Sequence, residues 1–257
     1  MKWPTQLVIV RHAQSEYNIL RDMKSTDPTY AEFVRAYNKD YRSNESRKLA
    51  DEVRSKFSLN ISDWETRITS AGVEMAHHTG TALKSHLIET PDVIFTSPYI
   101  RTMETLGCMK LGWSELDGVK TVPEDRIREQ EHGLSIIYND WRVFHVMHPE
   151  QKELRNLQGA YWYQYPQGES VSQVRDRIRS FLGTLTREYA GQRVLLITHH
   201  LTILSIRAIL ERLTPEEFLQ LDEDEKPVNC GVTIYQGDAS AGRDGHLNLI
   251  KYNKKSY

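Results

Sequence analysis

Leu7-Val8-Ile9-Val10-Arg11-His12-Ala13-Gln14-Ser15 is the stretch on which the reading of this chain turns. Four aliphatic residues, mostly β-branched, run straight into a guanidinium, an imidazole and small polar groups. This is the pattern of a buried strand that stops and feeds a polar loop. The pattern returns twice. Val93-Ile94-Phe95-Thr96 ends at Ser97-Pro98, and Val194-Leu195-Leu196-Ile197 ends at Thr198-His199-His200. Late strands are expected over 231–235 and 247–250, with a Gly/Asp/Ser turn region between them.

Helical periodicities separate these runs. Residues 72–87 carry Val73, Ala76, Leu83 and Leu87 at helical spacing. Residues 172–185 carry Val174, Ile178, Phe181, Leu182 and Leu185, and 202–213 carry Ile203, Ile206, Leu210 and Leu213. Strands alternating with helices predict an α/β fold, its largely parallel sheet covered on both faces. Ligands of such folds bind beyond the carboxyl ends of the strands. All three polar signatures fall at that edge.

The segment 19–64 differs, being rich in charge of both signs. Asp27-Pro28 is a helix start, a cap followed by Pro in the first turn. Tyr30, Phe33, Val34 and Tyr37 share one helical face, and Leu49, Val53 and Phe57 mark a second helix. A helical hairpin inserted after the first strand is expected, either a lid over the site or a surface decoration. The run from Asp222 to Glu225, before Lys226-Pro227, reads as a solvated acidic loop rather than a metal site.

The 257 residues suit one large α/β domain or two small ones, and 1–257 is taken as a single domain. Net charge is -2 and the sequence pI about 6.6, so no basic field argues for a nucleic-acid partner. Cys108 and Cys230 are the only two cysteines, too few for a disulfide framework, which points to a reducing compartment. The first apolar run is too short for a signal-peptide core, and no stretch approaches membrane-spanning length. The expectation is a cytoplasmic protein with no membrane partner.

Four polar groups carry the chemistry. In Arg11-His12, an imidazole hydrogen-bonded at one nitrogen leaves the other free to attack, and a neighbouring guanidinium grips phosphate oxygens as a fork. Ser97-Pro98-Tyr99-Ile100-Arg101 brings a second cation past another strand. Thr198-His199-His200 brings a second imidazole. Arg128-Glu129-Gln130-Glu131-His132-Gly133 offers a carboxyl group able to protonate a leaving oxygen. Taken one at a time, each has an ordinary structural explanation: a surface Arg, a core His, a solvated Glu.

In order along the chain, these groups resemble the histidine phosphatase superfamily, which includes the phosphoglycerate mutases and the fructose-2,6-bisphosphatases. The resemblance extends to Ile68-Thr69-x-x-Gly72 and to Gly168-Glu169-Ser170 before a helix. It implies a three-layer α/β/α sandwich with a mostly parallel central sheet, phosphoglycerate mutase-like, carrying the helical insert. It implies His12 as the nucleophile that becomes phosphorylated. It implies Arg11, Arg101 and His199 as the groups that bind the phosphoryl unit and stabilise its charge in flight. Glu129, four residues before Gly133, is implied as proton donor, with Glu131 as competitor. Ser15, Asn18 and His200 are implied as further phosphate contacts. No metal or organic cofactor is implied, and the partner is a small-molecule phosphate ester. The chain departs from the family at Ala13 and His200, both usually Gly, and neither change removes a catalytic side chain.

The mutases carry Glu-Arg-His-Tyr-Gly where this chain has Glu129-Gln130-Glu131-His132-Gly133, and a long basic insert follows that holds a bisphosphoglycerate. Asp140-Trp141-Arg142 hints at that region, yet no basic cluster follows. The stretch from Ala160 to Ser170 instead resembles phosphatase-like members from plants and fungi, so hydrolysis is favoured over mutase activity. Its Tyr161, Trp162, Tyr163 and Tyr165 either pack under a loop or line a ligand pocket. A non-catalytic binding module on the same fold would be expected to lack His12, Arg101 or His199, and all three are present. Neither Gly-x-Ser-x-Gly nor His-Glu-x-x-His occurs, which removes the α/β-hydrolase and zinc-protease readings. The substrate and the oligomeric state are not written in the sequence.

Overall fold

The structure is a computed structural model that describes residues 2–257. The side chains of residues 86 and 87 lie outside that description, and with them the apolar position Leu87. Strands β1 (Gln6–Arg11), β2 (Val93–Thr96), β3 (Lys120–Pro123), β4 (Arg193–Thr198), β5 (Val232–Asp238) and β6 (His246–Lys254) form one sheet in the order β3-β2-β4-β1-β5-β6. The first four run parallel; β5 is antiparallel to β1, and β6 to β5. The register aligns the strand ends. Arg11 lies opposite Thr198 and Thr96 opposite Ile197, so β1, β2 and β4 stop at one level. Two bonds past the strand ends hold the loops there, His12 N–H to the Thr198 carbonyl (2.8 Å) and Ser97 N–H to that of Ile197 (3.0 Å).

Side chains alternate across the sheet. Val8, Val10, Ile94, Leu195 and Ile197 pack on one face against Ala76 and Leu83 and against Leu106 and Met109. These belong to helix α4 (Ser70–Ala82) with its following π-turn, and to helix α5 (Ile100–Gly112). The other face takes Phe181 of helix α8 (Val171–Glu188), whose ring meets that of Phe95 edge-on at 5.3 Å. This is the expected three-layer arrangement. Helix α9 (His200–Leu210) starts directly at the end of β4, and α10 (Pro215–Asp224) follows it. The acidic run 222–225, expected as a loop, is in fact mostly the end of α10. That helix is set at its start by a reciprocal Thr214–Glu217 capping box with Pro215 in the first turn.

Chain contacts divide the protein into two compact units. The first holds the sheet and comprises the residues up to Ser15, 64–129 and from Gln173 on. The second comprises Glu16–Asp63 and Gln130–Ser172. It contains helices α1 (Glu16–Ser25), α2 (Pro28–Asp40), α3 (Asn44–Lys56), α6 (Trp141–Met147) and α7 (Pro149–Gln158). The expected hairpin is α2–α3, with Asp27 accepting the Tyr30 N–H as its cap. A further helix, α1, precedes it. The apolar face read from the sequence packs as expected: Phe33, Tyr37, Val53 and Phe57 form a core with Val143 and Phe144. Tyr161 and Tyr163 are buried, while Trp162 is exposed.

Candidate active site

The loop after β1 is held from four directions. Ala13 N–H donates to the Thr105 hydroxyl (2.9 Å), which donates in turn to the Arg101 carbonyl (2.6 Å). The Asn229 side-chain amide donates to the His12 carbonyl (3.0 Å). Cys230 N–H donates to the Arg11 carbonyl (3.1 Å) from a left-handed backbone, φ 52°. On the far side, Thr69 caps α4 and its N–H meets the Gln14 carbonyl (2.9 Å). Gly72 follows because a Cβ there would run into that same carbonyl.

His12 is buried, and its Nδ1 lies 2.8 Å from the Ala13 carbonyl. A carbonyl only accepts, so Nδ1 carries the proton and Nε2 holds the lone pair. The ring of His199 lies 5.2 Å away, centroid to centroid. His199 is fully buried; its Nε2 meets the Ser97 hydroxyl at 2.8 Å and, among the described residues, its Nδ1 meets no protein partner. A buried polar nitrogen without a partner is costly unless something arrives to satisfy it.

Two guanidinium groups flank these rings. Arg101 is buried, donates Nη1 to the Thr66 hydroxyl (2.7 Å) and stacks on Tyr99 at 4.7 Å, while Tyr99 meets the His199 ring edge-on at 5.0 Å. Arg11 is buried and donates Nη1 to the Pro227 carbonyl (2.7 Å). Burial first, and then the charges of Arg101 and Arg11, hold His12 well below its ordinary value. Burial and Arg101 do the same for His199. Both imidazoles are therefore neutral at physiological pH, and the fixed positive charge comes from the arginines.

Glu129 is half-buried, and its Oε1 accepts the Leu201 N–H at the start of α9 (3.2 Å). Arg177 on α8 fixes the approach, donating to the carbonyls of Arg126, Arg128 and Glu129 at 2.6–2.9 Å. His200 turns toward α10, with Nε2 2.6 Å from Asp222 Oδ1. Ser15 is buried in the bridge to Ile68. The structure thus gathers Arg11, His12, Arg101 and His199. Asn18 and Glu131 belong to the second unit; Asn18 is buried in α1 and Glu131 is exposed. Ser97, Tyr99, Thr105, Arg177, Asn229, Asp222 and Thr66 make contacts here that the sequence motifs do not single out. Ser97 and Tyr99 stand inside a quoted motif, and Thr105 one helical turn after Arg101, which is the signal that would have found them.

The sequence model of the histidine phosphatase superfamily (branch 1) matches residues 61–248. The match begins beyond α3, so Arg11 and His12 lie outside it, and only the fold brings them to His199. A phosphoglycerate mutase-like protein of Arabidopsis thaliana, AT74H, is 29% identical over 185 residues, 72% of this chain and 54% of its own length. The chain spans about half the length of such plant relatives. The 2,3-bisphosphoglycerate-dependent phosphoglycerate mutase of Rhizobium rhizogenes is 30% identical over 165 residues, 60% of this chain and 72% of its own. The solved structure of a mycobacterial glucosyl-3-phosphoglycerate phosphatase superposes with a TM-score of 0.63 at 19% identity, covering 97% of this chain and 98% of that one. Its sequence is too distant to speak for more than the fold. With a family match across most of its length and a sheet of the same architecture, this chain belongs to the histidine phosphatase superfamily, branch 1.

Proposed function

We propose that this protein is a phosphomonoesterase that transfers the phosphoryl group of a small phosphate ester to His12 Nε2 and then to water, without a metal ion. The observation that carries the reading is the His12–His199 pair, with rings 5.2 Å apart in a buried site flanked by Arg11 and Arg101. Phosphoryl transfer needs an in-line nucleophile and positive charge around the equatorial oxygens. His12 supplies a neutral lone pair. Arg11 and Arg101 supply charge, and His199 Nδ1 gains a partner when a phosphoryl oxygen arrives. Glu129 donates the proton to the leaving oxygen as the P–O bond breaks, and His12 takes the phosphoryl group. Water then attacks phosphorus, the P–N bond electrons return to His12, and the Glu129 carboxylate accepts the water proton. Ser15, Asn18 and His200 are assigned as supporting phosphate contacts. A mutase would return the phosphoryl group to an organic acceptor rather than to water, the activity named for the Rhizobium relative. The segment 19–64 is assigned to substrate selection as a lid, from its place directly after the β1 loop.

The test is phosphate release from a panel of phosphomonoesters, with and without chelator, beside His12→Ala. The panel includes 3-phosphoglycerate with 2,3-bisphosphoglycerate. Chelator-resistant release that falls by about three orders of magnitude or more in His12→Ala is expected. Isomerisation without release would replace hydrolysis by mutase activity, and full activity in His12→Ala would end the phosphohistidine reading. Deletion of 19–64 is expected to change substrate preference; an unchanged preference would remove the lid.

A further inference from the structure

The second unit contains a cavity of about 280 Å³, lined by His132 of the Arg128–Gly133 stretch but by none of the residues assigned to phosphoryl transfer. Its walls include Arg21, Lys24, Tyr30, Trp141, Arg142 and Tyr165. Lys24, buried, donates to the Asn139 carbonyl (2.5 Å) and pairs with Asp140 (3.1 Å). Tyr30 donates its hydroxyl to the same carboxylate (2.7 Å) and accepts from Arg142 Nη1 (3.3 Å). Asp140 is also the cap of α6, accepting the Arg142 and Val143 N–H groups. Its carboxylate is thus engaged by Lys24, Tyr30 and two backbone amides.

Arg142 is different. Its guanidinium lies over the Trp141 ring at 4.2 Å and forms no ion pair with a carboxylate within 4.0 Å among the described residues. Among the described residues Arg21 pairs only with its exposed neighbour Asp22, at 3.5 Å. The lining therefore carries three cations against one carboxylate, and that carboxylate is already used. A guanidinium stacked on an indole is oriented in advance, and beyond the Nη1 bond to Tyr30 its other donors present a fork that a carboxylate or phosphate matches. Of the other walls, Tyr17, Tyr165 and Ile136 are aromatic or apolar, and Ser25, His132, Ser135 and Asn139 are polar without fixed charge. The volume suits a small molecule at the lower end of ligand pockets.

We propose that this pocket binds a small organic anion, its acid group held by Arg142 and Arg21 and its flat or apolar body laid against Trp141 and Tyr165. Such an anion comes from one of two sources, the leaving group of a phosphoester or a separate effector. In the first form the inference rests on the phosphatase reading; as a binding site it does not.

Calorimetric titration of the full chain with 4-hydroxybenzoate and with phenol tests it. The carboxylated probe is expected to bind at least about tenfold tighter than phenol. Arg142→Gln is expected to remove that advantage, and Arg21→Gln, on an exposed side chain, to reduce it without threatening the fold. His12→Ala is expected to leave it intact. Equal affinity for the two probes, or an advantage untouched by both arginine variants, would overturn the proposal. The source is then read from kcat/KM for 4-carboxyphenyl phosphate over phenyl phosphate. A ratio of about ten or more that collapses toward one in Arg142→Gln assigns the pocket to the leaving group. A ratio near one with binding intact assigns it to an effector. Binding without hydrolysis of either ester would sink the phosphatase reading and leave the pocket standing.

Discussion

Arg101 is useful to a phosphoryl site only while its guanidinium stays put, and the Thr66 hydroxyl and the Tyr99 ring hold it. Thr66→Ala removes one hydrogen bond to a charged group, worth on the order of 1.5–3 kcal/mol. Steady-state assays are expected to show kcat/KM lowered about tenfold or more, against about a thousandfold for Arg101→Ala. A Thr66→Ala enzyme with wild-type kcat/KM would show that Arg101 needs no such support. The imidazoles predict a pH response. His12 and His199 sit well below their ordinary values, and burial pushes His145 down to about 3. Unfolded imidazoles take up protons near pH 6.5. Between there and the folded values, the unfolded state binds more protons. Stability is therefore full above about pH 6.5 and is lost as pH falls through that window. Urea midpoints at pH 7.5 and pH 5 should differ in that sense, and His145→Leu should flatten the slope; midpoints that rise toward acid would contradict the assignment.

At the level of elements, what was legible depended on where each element buries its side chains. Strands β1, β2 and β4 lie inside the sheet and appear as continuous apolar runs, so both they and the polar loops behind them could be read. β3 is a short edge strand, largely exposed and ending in Pro123, and it carries no such run. Helix α5 buries Thr102 and Thr105 along with Leu106 and Met109, which blurs its apolar stripe. α10 hid behind its acidic end. The candidate site residues were readable because their order along the chain is distinctive. Their holders were not: Ser97 meets a partner 102 residues away and Thr105 one 92 residues away, and a lone hydroxyl announces neither. Gly72 is a case where the motif acquires a mechanical cause, the close passage of α4 beneath the Gln14 carbonyl. Gly72→Ala is expected to cost about 1–3 kcal/mol in denaturant unfolding. An unchanged midpoint would mean the loop yields freely.

At the scale of the whole molecule, each unit has a core of its own among the described residues, one around the sheet and another around Phe33, Tyr37 and Phe144. Phe33 is fully buried, so Phe33→Ala removes about 3–5 kcal/mol of packing from the helical unit. Separate cores are the physical basis for separate opening. Hydrogen exchange in this variant should rise across 16–63 and 130–172 while β1, β2 and β4 stay protected; a uniform rise would show a single cooperative unit. The two neutral imidazoles also make the empty protein a poor holder of protons. A dianion placed beside them favours their charged forms. Loading the site should therefore draw protons out of the solvent, and the heat of binding will contain the ionisation heat of whatever buffer gives them up. Sulfate, which carries no titrating proton near neutrality, makes this visible: its apparent binding enthalpy should change from one buffer to another at fixed pH, and the slope counts the protons taken up.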